Sequence, residues 1–73
     1  KTGAYDKAID DFTRIINIDP RYVLAYNNRV FAYYMKKEYT LAWKDVKKIN
    51  ELGYQIEPAL LESLKKASKG KLE

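Results

Sequence analysis

The chain repeats itself at a fixed offset. Laid over one another, residues 5–18 and 39–52 pair Tyr5 with Tyr39, Ala8 with Ala42, Asp11 with Asp45 and Ile15 with Ile49, every pair 34 residues apart. Phe12 falls on Val46 and Ile18 on Leu52 in the same register. A fixed period of about 20 to 50 residues marks a stacked supersecondary unit, because one unit cannot bury its apolar face alone and must lean on a neighbour. With 73 residues the chain has room for one small domain, so the repeat governs nearly all of it.

The repeating elements read as helices. Tyr5, Ala8, Ile9, Phe12, Ile15 and Ile16 recur at helical spacing and form a one-sided stripe, with Asp6, Asp10, Asp11 and Arg14 mostly opposite. After a turn-like KTGAYD, Asp6 is expected in the first turn, where the helix dipole favours an anion. Asp19-Pro20 ends this helix, since proline disfavours helical geometry at the residue before it. A second helix is expected from about Tyr22 to Lys36, with an apolar set broader than one stripe needs. A third runs from about Tyr39 to Leu52, with Gly53 placed for a left-handed cap. Pro58 opens a fourth, whose apolar edge is Leu60, Leu61, Leu64 and Ala67 and whose end is Gly70. Nothing reads as strand. The expected fold is all-α: about four antiparallel helices in helix–turn–helix repeats, occupying residues 1–71 as one domain.

Composition narrows the chemistry. Cysteine and histidine are both absent, which removes disulfides, thiolate metal sites, the commonest general base and the commonest zinc ligand. Ser63 and Ser68 lie near lysines on the last helix and read as solvating hydroxyls rather than nucleophiles. Asp10 and Asp11 are consecutive, so they point some 100° apart and share no site easily. Gly3, Gly53 and Gly70 stand singly beside helix ends and form no phosphate loop. No catalytic residue, metal or cofactor is expected. The formal charge of +4 is spread with both signs mixed. The densest basic cluster, Lys44, Lys47 and Lys48, is interleaved with Asp45 and followed by Glu51. It reads as a solvated helix face rather than the basic stripe of a nucleic-acid binder. No apolar run approaches the roughly 18 residues of a membrane span. The opening on Lys1 suggests a trimmed piece of a longer chain, and Leu72-Glu73 a remnant of cloning. No compartment is legible.

In these anchors the chain resembles the tetratricopeptide repeat (TPR) family. GAYDKAIDDFTRIINIDP (residues 3–20) resembles the second helix of one unit, with Gly3, Tyr5, Ala8, Phe12 and Pro20 at the family spacing. Residues 22–53 resemble the complete unit that follows, with Tyr26, Tyr33, Tyr39 and Ala42 on the pattern. Residues 57–70 are similar to the solvating helix that closes such arrays. The resemblance thus implies the C-terminal part of an array, one and a half units plus a capping helix. Ala8 and Ala42 would let the paired helices approach closely. Three positions depart from the pattern: Val30 and Lys37 stand where glycine is favoured, and Tyr54 where proline is. The first helix lacks an upstream partner, so part of its apolar stripe is expected to be uncovered.

The resemblance implies a protein-interaction scaffold in which the first helix of each unit lines a groove for a partner peptide. On this chain that places Leu24, Asn27, Asn28, Phe31, Tyr34 and Met35 in the groove. Tyr26, Val30, Tyr33 and Tyr39 are left to the core, and Arg29 packs its stem while its head seeks a nearby carboxylate. Asparagines can both donate to and accept from a peptide backbone, and exposed rings offer amphipathic contact area. Phe31 and Tyr34 equally suit packing against the fourth helix or an upstream one. Asn28 resembles one asparagine of the carboxylate clamp found in some TPR proteins, but the rest of that clamp is missing, so chaperone-tail binding is not implied. The alternative role is homo-oligomerisation through the exposed helix faces, and RNA binding through the basic helices is a third.

Overall fold

The structure, a computed structural model, describes residues 2–68. These form four helices and no strand: α1 (Thr2–Ile18), α2 (Val23–Met35), α3 (Tyr39–Glu51) and α4 (Pro58–Ser68). Short connections turn each helix back on the one before it, giving the all-α helix–turn–helix arrangement that the periodicity anticipates. α2 is central, packed against α1 on one side and α3 on the other, while α4 touches α3 more sparsely. The whole is a slab of 33 × 31 × 19 Å, and its thin dimension is about two helix diameters.

The core lies mainly between α2 and α3. Val30, Ala42, Val46 and Ile49 are buried there with Tyr26, and Ile56 and Leu64 extend the cluster towards α4. Each large side chain removed from water contributes roughly 1.5–3 kcal/mol, so a handful of them supplies most of the driving force. Ala42 is 0% exposed and lets the helix backbones approach. Val30, where the family pattern favours glycine, sits in the same contact at 0% exposure. Tyr26 is buried and its hydroxyl donates to the Pro20 carbonyl at 2.9 Å. Ala25 and Ala32 are also buried. They flank Arg29 on one stripe of α2, and Arg29 reaches Thr13 of α1, so the small residues admit α1 closely.

Several expectations need correcting. α1 begins at Thr2, so KTGAYD is not a turn, Gly3 lies inside the first helical turn and Asp6 lies beyond it. Asp6 pairs with Lys36 at the far end of α2, and Tyr5 meets Phe31 edge-on with ring centroids 6.5 Å apart. These contacts hold the early residues of α1 in helical form. On α4 the expected Leu60, Leu61 and Leu64 do meet the core, but the edge continues to the buried Ser68 rather than to Ala67, which is exposed. The half-buried Trp43 indole N–H needs an acceptor and donates to Ser68 Oγ at 3.2 Å. Ser68 is therefore a buried tie between helices and not a solvating hydroxyl. The expected stop at Gly70 and the Leu72-Glu73 end lie outside the described residues, as does Lys1.

Both α2 and α3 end in the same hydrogen-bonded cap. After α3, Gly53 (φ +93°) takes the left-handed position, its N–H donating to the Asn50 carbonyl and that of Tyr54 to Ile49. A proline at position 54 has no N–H and could not make the second bond. After α2 the left-handed position falls to Lys37, at φ +63°. Its N–H donates to the Tyr34 carbonyl and that of Glu38 to Tyr33. A non-glycine residue in this conformation costs roughly 1–2 kcal/mol, offset in part by the roughly 0.4–1 kcal/mol of extra unfolded-chain entropy that glycine would bring. Lys37→Gly is therefore expected to stabilise the fold by about 0.5–1 kcal/mol, raising the melting temperature by a few degrees. A lowered melting temperature would show that the lysine side chain makes a contact worth more than its strain.

Candidate functional site

Arg29 anchors the middle of the molecule. Its Nε donates to Asp45 Oδ2 and its Nη2 to Asp45 Oδ1, each at 2.7 Å, and its Nη1 donates to Thr13 Oγ1 at 3.0 Å. The guanidinium also lies 5.8 Å from the Tyr26 ring centroid and 5.7 Å from that of Tyr33. One α2 side chain thus ties α1 and α3 together. Hydrogen bonding to Asp45 raises the Arg29 pKa despite the opposing effect of burial, and burial pushes the Tyr33 phenol up. The sequence places Asp45 on a solvated lysine face; the structure buries it to 4% exposure. Lys44 and Lys47 are exposed and Lys48 half-buried. The carboxylate turns inward because α2 offers it a bidentate partner, which neighbouring positions on α3 alone do not reveal.

With that inner side committed, the free side of α2 floors a cleft of about 580 Å³. Asn27, Asn28, Phe31 and Tyr34 line it from α2. One wall is α1, through Tyr5, Ala8 and Phe12; the other is α4 and the residue before it, through Glu57, Leu60 and Ser63. The rings of Tyr5 and Phe31 join floor to wall. Tyr34 is half-buried and packs towards Tyr39, with centroids 6.3 Å apart. The Asn27 side-chain oxygen is closed off from solvent and has no hydrogen-bond donor among the described residues. Such an orphan acceptor costs about 1–3 kcal/mol until a donor reaches it.

The other two candidate residues lie elsewhere. Leu24 and Met35 are 55% and 41% exposed and do not line the cleft. They share the outermost ridge of α2 with Asn28 and Phe31, at i, i+4, i+7 and i+11. The six candidates therefore divide into four along the cleft and two on the ridge beside it. Sequence reasoning missed both walls. For α4 the signal lies in the Leu60–Leu61 doublet: adjacent helical residues point in different directions, and Leu60 borders the cleft while both leucines pack at the edge of the core.

No described helix is long and apolar enough to cross a membrane. No family model matches the chain, and no solved structure matches it significantly.

Proposed function

We propose that the chain is a tetratricopeptide-type helical repeat acting as a non-catalytic protein-interaction scaffold, with the cleft over α2 receiving a segment of a partner protein. The cleft itself carries this reading: about 580 Å³ in which two adjacent asparagines lie beside the rings of Tyr5, Phe12, Phe31 and Tyr34. Rings supply contact area at small entropic cost, and amides supply backbone-directed hydrogen bonds. Rotation of the Asn27 amide towards the cleft would offer its orphan oxygen to a peptide N–H. The 34-residue register and the close helix packing at Ala42 support the family assignment.

Panning a random peptide library against the immobilised chain tests the proposal. Selected peptides are expected to lose at least tenfold in affinity, about 1.4 kcal/mol, on Asn28→Ala and on Phe31→Ala. Asn28 is exposed, so its variant should keep the parent melting temperature, whereas Phe31→Ala also removes the Tyr5 ring contact and is compared at a temperature where a melt shows it folded. Tyr34→Ala is a poorer probe, because its packing on Tyr39 would mix binding with stability. Peptides that bind both variants as tightly as the parent chain would overturn the assignment of the cleft.

A further inference from the structure

The cleft over α2 has two unlike ends. Tyr5 of α1 meets Phe31, and Tyr34 packs towards Tyr39 at the start of α3, so three rings gather where α2 ends. Ser68 reaches Trp43 in the first half of α3, which puts the last turn of α4 towards that aromatic end. The beginning of α4 therefore lies towards the opposite end. So does the loop before it, since the Tyr54 N–H donates to the Ile49 carbonyl late in α3 and Ile56 joins the cluster that contains Tyr26. Glu57 lines the cleft from there, together with Asn27 and Asn28 of the first half of α2. Charge divides in the same way. Glu57 is the only aspartate, glutamate, lysine or arginine that lines the cleft. It is exposed and has no ion-pair partner among the described residues. The orphan Asn27 oxygen adds a second acceptor without a donor at this end.

We propose that the cleft takes an extended partner segment with a lysine or arginine at the Glu57 end and a large apolar side chain at the aromatic end. The inference rests on the cleft being the interaction site and specifies the chemistry of its occupant. An ammonium brings three N–H donors and a guanidinium five, enough to meet the carboxylate and an amide oxygen together. Asn27 and Tyr34 stand seven residues apart on one helix, about 10 Å at 1.5 Å per residue. Three residues of extended chain cover about the same distance, so the cation and the apolar residue are about three positions apart. The formal charge of +4 on the whole chain attracts acidic segments at long range, but inside the cleft an acidic side chain meets a carboxylate and no cation. Such like-charge juxtaposition is what rejects a wrong partner.

The test pans a random peptide library on the parent chain and on Glu57→Gln in parallel and sequences both selected pools. Glu57 is exposed, so the variant should keep the parent melting temperature, which a thermal melt checks. The parent pool is expected to be enriched in Lys or Arg about three positions from Phe, Tyr, Trp or Leu. The Glu57→Gln pool should keep the apolar preference and lose the basic one. Non-specific attraction to a chain of formal charge +4 would enrich acids instead. For one selected peptide, Glu57→Gln and replacement of the peptide's basic residue by glutamine should each weaken binding about threefold to fivefold, as for exposed ion pairs. The two changes together should weaken it no further, the signature of direct contact between the two groups. Pools without basic enrichment, or affinities indifferent to Glu57→Gln, overturn the proposal. If those peptides still weaken on Asn28→Ala, the cleft stands as the site and only the chemistry of its occupant falls. Peptides indifferent to Asn28→Ala as well, or a library that yields no binder, overturn both.

Discussion

Asp45→Ala is expected to destabilise the protein by about 3–5 kcal/mol, the usual cost of stranding one member of a buried ion pair. The Arg29 side chain is 16% exposed, so without Asp45 its charge would be left largely out of water and facing only the Thr13 hydroxyl and two aromatic rings. Small domains have total stabilities towards the low end of about 5–15 kcal/mol. The variant should therefore be substantially unfolded in mild denaturant, as read by the loss of helical circular dichroism. A companion variant isolates the cause. Replacing both partners, Arg29→Met with Asp45→Leu, removes the stranded charge and should recover most of the loss, because apolar pairs of similar volume often match buried ion pairs. A cost for Asp45→Ala below about 1 kcal/mol, the range of exposed pairs, would show that the three-helix tie is not a buried one.

Leu64→Ala is the second large effect, at about 2–5 kcal/mol. Leu64 is 0% exposed and is the only fully buried apolar side chain that the described part of α4 contributes to the core. The other attachments of α4 are the partly buried Leu60 and Leu61 and the Trp43–Ser68 hydrogen bond. The loss should therefore fall unevenly. Native-state hydrogen exchange is expected to show α4 amides losing protection while the α2 and α3 amides keep most of theirs, as in sub-global opening of a weakly held element. Uniform loss of protection across all four helices would mean that α4 is an integral part of one cooperative unit.

How far the sequence discloses this molecule follows from which interactions are periodic. Helix positions are legible because Tyr26, Val30, Ala42, Val46 and Ile49 recur at helical spacing, and Gly53 and Pro58 punctuate them. The antiparallel order follows from the short connections. The Arg29–Asp45 pair is half legible: an arginine in core register must find a carboxylate, but which one depends on how α2 and α3 face each other. Ser68 is illegible alone, since only the Trp43 indole makes it worth burying. The α2 side of the cleft emerges by subtraction, as what remains on that helix after the core is assigned. Its walls do not, because Tyr5, Ala8 and Phe12 belong to a stripe that the repeat marks as core. On α1 that stripe is no more than half-buried, because the covering helix that α3 enjoys has no equivalent among the described residues.

The most direct test of the interaction-scaffold proposal is a chemical-shift map of the ¹⁵N-labelled chain titrated with a peptide selected by panning. The account predicts shifts concentrated on Asn27, Asn28 and Phe31 of α2 and, across the cleft, on Leu60 and Ser63 of α4. Shifts centred instead on the outer face of α3 around Lys44 and Lys47, with the α2 asparagines unmoved, would contradict it.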